Sequence, residues 1–222
     1  MSVLEEAGFA AVPGVLGVDR CAEVVTALSG PGSRRTGSRN LLDVPVCERL
    51  AAMFKAHAQV GPFLPQGAVA VQCTLFEKSA DDNWLVALHQ DLSVPVQERV
   101  PHRDCSGWSE KEGVLYVQPP VAVLESLVAV RVHLDDCGSA NGPLRVVPGS
   151  HRHGRLSTET AKALREQSGV VECIARRGDV MAMRPLLLHS SSKVQVPGSR
   201  RVLHFLFGPN ELPCGLKWHR AV

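Results

Sequence analysis

The hydrophobic pattern changes period once along the chain. Up to about residue 66 apolar residues recur at helical spacing. From Ala68 onward they come in short runs separated by Gly, Pro, Asn and Asp. Asp19 is read as the cap of a first helix over RCAEVVTALS, which stops at Gly30-Pro31-Gly32. Asp43 is read as the cap of a second over VPVCERLAAMFKAHAQV, with Val46, Leu50, Met53 and Phe54 on one face and Gly61-Pro62 at its end. Between them GPGSRRTGSRN (30–40) reads as a basic surface loop. AVAVQCTLF is a buried strand, KSADDN a polar turn, and WLVALHQD the next strand. A polar stretch with few strand signals runs from Gln97 to Glu112. Then follow GVLYVQ, LVAVRVHL, LRVV, a helix over TETAKALREQ capped by Ser157 or Thr158, and the strands in GVVECIA, VMAMRPLLLHS and RRVLHFLF.

Early helices followed by about eight short strands with Gly/Pro turns predict a mainly β protein: a jelly roll, or double-stranded β-helix, packed by N-terminal helices. We expect one domain over 1–222, with a helical part over about 1–66 and the jelly-roll core over about 67–208. The length suits a single core.

Composition narrows the function classes. The chain is 45% hydrophobic and 21% charged with a formal net charge of +2, which gives no electrostatic case for nucleic acid or an anionic membrane as partner. The start MSVLEEAGFA is acidic and lacks the basic and apolar regions of a secretory signal. No apolar run approaches the roughly 18 residues of a membrane span. Seven cysteines, scattered singly without a CxxC pair, read as reduced thiols, so the expected compartment is the cytoplasm. Oligomeric state has no sequence signal.

The candidate chemistry lies in the WLVALHQD strand. His89 and Asp91 are two residues apart, and i and i+2 share a face of a strand. With one distant histidine they make a 2-His-1-carboxylate triad, which leaves positions open on Fe(II). His-x-Asp is a short motif: chance gives about 0.4 in a chain of this composition, and three are present, at His89/Asp91, His102/Asp104 and His133/Asp135. His102 lies in the least regular stretch. Asp135 opens the turn DDCGSANGP. His89 ends an apolar strand, a rigid base for a metal site. His189, after PLLL, is the candidate third ligand. Downstream, Arg200 and Arg201 open RRVLHFLF, whose alternation turns one of them inward. A buried guanidinium calls for an anion and matches a carboxylate bidentately; the far carboxylate of 2-oxoglutarate is such an anion.

The order GFAAVPGVL, HQD, NGPLRVVPGSH, GDVMAMRPLLLHSSS and a downstream Arg is similar to the phytanoyl-CoA dioxygenase family of Fe(II)/2-oxoglutarate oxygenases, over about residues 7 to 207. The resemblance implies a jelly roll in which His89, Asp91 and His189 hold iron. It also implies a 2-oxoglutarate arginine at Arg200, eleven residues past His189, with Arg201 in reserve, and a contribution to the same carboxylate from Ser191. Gln72, Thr74 and Lys78 are further cosubstrate candidates by the same resemblance. Enzymes of this kind use O2 to couple decarboxylation of 2-oxoglutarate, giving succinate and CO2, to oxidation of a substrate C–H bond. Related halogenases lack the carboxylate, so Asp91 favours hydroxylation.

The stretch Leu92–Gln118 is expected to cover the pocket and bind a small-molecule substrate, with Arg99, Trp108 and Tyr116 as contacts. No CoA-binding feature is recognisable, so phytanoyl-CoA does not follow from the resemblance. Two other classes stay open: a cupin-like metalloprotein using the triad with another divalent metal for non-oxidative chemistry, and a non-catalytic binding module.

Overall fold

The computed structural model describes residues 2–29, 38–79 and 82–222. Its strands are β1 (Phe9–Val12), β2 (Val69–Lys78), β3 (Val86–His89), β4 (Val94–Val96), β5 (Ser106–Lys111), β6 (Val114–Gln118), β7 (Val128–His133), β8 (Leu144–Val146), β9 (Val171–Cys173), β10 (Val180–Met183), β11 (His189–Ser191) and β12 (Arg200–Gly208). The helices are α1 (Val3–Ala7), α2 (Val18–Leu28), α3 (Pro45–Ala56), α4 (Val121–Ser126) and α5 (Thr158–Ser168).

The strands form antiparallel sheets in the orders β1-β10-β7-β12-β2, β3-β11-β8-β9 and β4-β6-β5. The expected jelly roll is present. Strand parity divides the labour of the five-stranded sheet. Leu203, Phe205 and Phe207 of β12, with Val130 and Val132 of β7, face outward and pack on Leu50 and Phe54 of α3 and Val24 of α2. The alternate residues face inward: Arg200, His204 and Leu206 of β12, Arg131 of β7, and Gln72, Thr74, Phe76 and Lys78 of β2. The β12–β2 register sets Arg200 against Lys78, His204 against Thr74 and Leu206 against Gln72. The two large sheets therefore enclose a face that carries polar groups.

Several boundaries differ from expectation. The helix expected over RCAEVVTALS is α2, capped by Gly17 rather than Asp19, which sits in the first turn where a carboxylate complements the positive end of the helix dipole. Asp43 ends a short 3-10 turn, and α3 begins at Pro45, whose fixed φ suits the first helical position. Ser157 does cap α5, its hydroxyl accepting from Thr160 N at 3.2 Å. The stretch over 97–112 is less irregular than expected: it holds β5, paired with β6. In the basic loop at 30–40, residues 30–37 lie outside the described residues. Among the described residues no helix is long and apolar enough to cross a membrane.

Candidate metal and cosubstrate site

Two neighbouring strands build the centre. β3 ends at His89 and β11 begins at His189, and the antiparallel register places these two residues opposite each other, with ring centroids 4.2 Å apart. Asp91 lies just past β3, where its backbone N–H donates to Pro185 O at 2.9 Å. From there its carboxylate meets both rings, Oδ1 standing 3.7 Å from His89 Nε2 and Oδ2 3.7 Å from His189 Nε2. One ligand atom from each residue lies within 4.8 Å of the others. Ligands at about 2.1 Å from one ion in an octahedral arrangement stand about 3 Å apart when adjacent, so small side-chain rotations close the set around a metal.

Both imidazoles are oriented for this. His89 Nδ1 is 2.8 Å from Ala87 O and His189 Nδ1 is 2.8 Å from Leu187 O. A carbonyl only accepts, so Nδ1 carries the proton on each ring and Nε2 keeps its lone pair. Burial pushes the His189 imidazolium down to about 4, against the attraction of Asp91; the ring is neutral at physiological pH. Burial raises the Asp91 carboxyl, but His189, His204, His89 and Arg131 outweigh it and hold it below its ordinary value.

The backbone around the ligands is tied down by groups that point away from the centre. Gln90, between the two ligands, donates to Gly154 O at 2.8 Å and Leu186 O at 2.7 Å and accepts from Leu156 N at 2.9 Å. Ser150 Oγ accepts from Leu188 N at 2.9 Å, and β8 pairs along β11 with Val146 opposite His189. The NGPLRVVPGSH string thus braces the third ligand from behind.

The other His-x-Asp pairs do not form a centre. His102 and Asp104 are 3.8 Å apart on the surface. His133 is buried, and Asp135 is engaged by Arg201 at 2.7 Å. Among the described residues, His89, Asp91 and His189 are the group able to hold a metal.

A cavity of about 100 Å³ opens beside the triad, lined among others by Lys78, Arg131, Ser191, Arg200 and His204. Arg200 is 4% exposed; one guanidinium nitrogen donates to Gly142 O at 3.3 Å and its Nε has no partner. Lys78, opposite it and 1% exposed, donates to Ser191 Oγ at 2.8 Å and Ser192 O at 2.7 Å. Burial, with Arg200 nearby, pushes the Lys78 ammonium down to about 8. Arg201 points the other way, its fork on Asp135 at 2.7 and 2.8 Å.

Arg131 and His204 also belong here, and the sequence reading missed both. Each was visible as a polar residue flanked by apolar neighbours in a central strand, VAVRVH or RRVLHFLF. Arg131 donates to His204 Nδ1 at 2.9 Å. Arginine has no acceptor, so His204 is the Nε2–H tautomer, and burial beside Arg131 pushes its imidazolium down to about 3. Arg131 Nε has no partner.

A wider cavity of about 400 Å³ reaches His89 and Asp91 and is lined by Gln72, Thr74, Lys111, Tyr116 and Gln118 among others. Gln72 and Thr74, expected as cosubstrate groups, line this cavity and not the one with Arg200, because β2 runs from the first cavity to the second with Phe76 between them. Of the expected substrate contacts, Tyr116 lines the wider cavity. Arg99 and Trp108 line neither; they form a cation–π pair at 5.2 Å, and Trp108 packs on the core.

Comparison with known proteins agrees with this geometry. The family model "Phytanoyl-CoA dioxygenase (PhyH)" matches residues 4–202. No curated protein matches the chain. Among solved structures, HygX from Streptomyces hygroscopicus with nickel and 2-oxoglutarate bound is 21% identical, with a TM-score of 0.66 over 98% of this chain and 87% of that one. EctD from S. alaskensis, in its apoform, is 20% identical, with a TM-score of 0.68 over 97% and 79%. The non-heme alpha-ketoglutarate-dependent epimerase SnoN from nogalamycin biosynthesis is 18% identical, with a TM-score of 0.65 over 96% and 83%. Identities this low speak for the shared fold. The family match, which covers most of the 222 residues, makes this chain a member of the phytanoyl-CoA dioxygenase family and an enzyme of the iron- and 2-oxoglutarate-dependent oxygenase class.

Proposed function

We propose that this enzyme hydroxylates a C–H bond of a small-molecule substrate, with His89, Asp91 and His189 holding Fe(II) and Arg200, Lys78 and Ser191 holding 2-oxoglutarate. The observation that carries it is the pairing of a three-ligand centre with a cavity lined by cations. Three cations, Lys78, Arg131 and Arg200, line that cavity, and its one acid, Asp91, is committed to the metal. Buried charges of one sign are tolerated when an anion joins them, and two of the three guanidinium and ammonium groups keep an unpartnered N–H. At about 10–15 Å³ per water-sized atom the cavity accepts about seven to ten atoms, and 2-oxoglutarate has ten non-hydrogen atoms.

Each residue then has a defined task. The Arg200 fork takes the far carboxylate, with the Lys78 ammonium and the Ser191 hydroxyl beside it. Arg131 adds positive potential and fixes the His204 tautomer, so that an N–H donor faces the metal region at every physiological pH. The polar walls at Gln72 and Thr74 belong to the substrate side. Iron, with 2-oxoglutarate and O2, supplies the oxidising power, and succinate and CO2 leave. Asp91 fills the position that a halide would need, which supports hydroxylation over halogenation. Non-oxidative chemistry at another metal would leave the cations of this cavity without an anion.

The test is turnover under oxygen-18 with Fe(II), 2-oxoglutarate and a pool of small metabolites. A product carrying one heavy oxygen, formed with succinate in equal amount and absent in His189→Ala, is expected. Equal product in Asp91→Ala, or without 2-oxoglutarate, contradicts the reading.

A further inference from the structure

The wider cavity carries a charge pattern of its own. β5 alternates so that Ser109 and Lys111 share the face of Tyr116 on β6, while Glu110 turns to the solvent side. The hairpin thus sends its cation to the cavity and its acid away from it. The Lys111 ammonium lies 4.9 Å from the centre of the Tyr116 ring, and among the described residues no carboxylate pairs with it. The nearest acid on the hairpin, Glu112, is taken up by Ser38 and Arg39: it accepts from Ser38 Oγ at 3.2 Å, from Arg39 N at 3.0 Å and from the Arg39 guanidinium at 3.4 Å. Arg39 also lines the cavity, and the one acid on its wall is the metal ligand Asp91.

The second observation is independent. Tyr116 is 2% exposed and its hydroxyl has no hydrogen-bond partner. A buried hydroxyl without a partner is unfavourable, and a ligand oxygen that reaches it would supply the missing acceptor. Burial pushes the phenol up to about 12, so it is a neutral donor and never an opposing charge. The Tyr116 ring, the Lys111 ammonium and Arg39, itself paired with Glu112, therefore line a cavity that also reaches His89 and Asp91.

We infer that the substrate is a small metabolite bearing a carboxylate or phosphate, held by Lys111 and the Tyr116 hydroxyl while its reacting carbon faces the triad. This rests on the oxygenase reading of His89, Asp91 and His189. Cationic substrates such as polyamines are disfavoured by the same wall.

The test uses protein loaded anaerobically with Fe(II) and saturating 2-oxoglutarate, which occupies the Arg200 cavity. Fluorine NMR line broadening then compares three probes of one size, 4,4,4-trifluorobutyrate, 4,4,4-trifluorobutanol and 4,4,4-trifluorobutylamine. The acid is expected to bind most tightly. Lys111→Met should weaken the acid about tenfold, equivalent to about 1.4 kcal/mol, and leave the alcohol unchanged; Lys111→Arg should retain most of the affinity, and Tyr116→Phe should weaken the acid less than Lys111→Met does. Equal binding of the three probes, tightest binding of the amine, or wild-type affinity in Lys111→Met overturns the inference. The Fe(II)–2-oxoglutarate absorption band is recorded on the same samples. Its absence in wild type sinks the oxygenase reading, whereas its presence in Lys111→Met with unchanged acid binding sinks only the anion site.

Discussion

Gln90 is the residue between two metal ligands whose side chain points away from them, and replacing it with methionine isolates its role. Methionine fills nearly the same volume, so no large cavity term arises. The three hydrogen bonds to Gly154 O, Leu186 O and Leu156 N are lost together. At about 1 kcal/mol net for each, the apoprotein should lose about 3 kcal/mol. For a chain of this size about 2–4 °C of melting temperature accompanies each kcal/mol, so Gln90→Met should melt about 6–12 °C below wild type by calorimetry. The loops that carry Asp91 and lead into His189 are then held less firmly. Losing such outer support lowers metal affinity by about 10–100-fold, readable by competition with a chelator. Gln97→Met, at an exposed position, is the control and should change neither quantity. If Gln90→Met melts within about 2 °C of wild type and binds Fe(II) equally well, the bracing role assigned to this side chain is wrong.

The two adjacent arginines should separate cleanly. Arg200→Met should lower 2-oxoglutarate affinity by about 10–150-fold, the loss of a charge-assisted contact, while Arg201→Met should leave it within about twofold and cost about 1 kcal/mol of stability through the Asp135 pair; calorimetric titration of both variants decides. Acid should destabilise the apoprotein early. Burial pushes His133 and His204 down to about 3 and His189 down to about 4, so between those values and the ordinary histidine value near 6.5 the unfolded chain binds protons that the folded chain refuses. Stability is thus full above about pH 6.5 and declines as pH falls toward 4; urea titrations that show a flat stability across this range would count against the neutral, buried state of these rings.

The residues able to hold a metal were legible because His89 and His189 sit where two apolar runs end. VALH is the short strand expected, though half-exposed, and His89 ends it; PLLL, expected as a strand, is a turn, and His189 opens β11 instead of closing a strand. The choice between Arg200 and Arg201 was less legible for a physical reason. β12 is an interior strand of its sheet, flanked by β7 and β2 and buried on both faces, so although its side chains alternate, RRVLHFLF has no polar and apolar face to say which arginine turns inward; the register, with Arg200 opposite Lys78, does. Arg131 escaped notice because its strand is buried on both faces, so the pattern gave no sign of which face its side chain takes. The β5 strand was hidden for the opposite reason. It is half-exposed, its residues SGWSEK are mostly polar, and a bulge between Ser106 and Ser109 breaks the period. The turn residues of NGPLRVVPGSH were recognised as architecture. Their use became visible only in three dimensions: Gly142, at φ +63 with Ser192 O only 2.5 Å from where a Cβ would stand, offers its carbonyl to Arg200.

The central claim is that one centre binds Fe(II) through His89, Asp91 and His189 and 2-oxoglutarate through Arg200. Anaerobic titration of the purified apoprotein with Fe(II) and then 2-oxoglutarate tests it most directly, by the visible charge-transfer band of the chelate. The account predicts a band in wild type and in Arg201→Met, none in His89→Ala or His189→Ala, and in Arg200→Met a band that appears only at much higher 2-oxoglutarate. A wild type that forms no band and holds zinc in preference, or a His189→Ala variant with a full band, would contradict it.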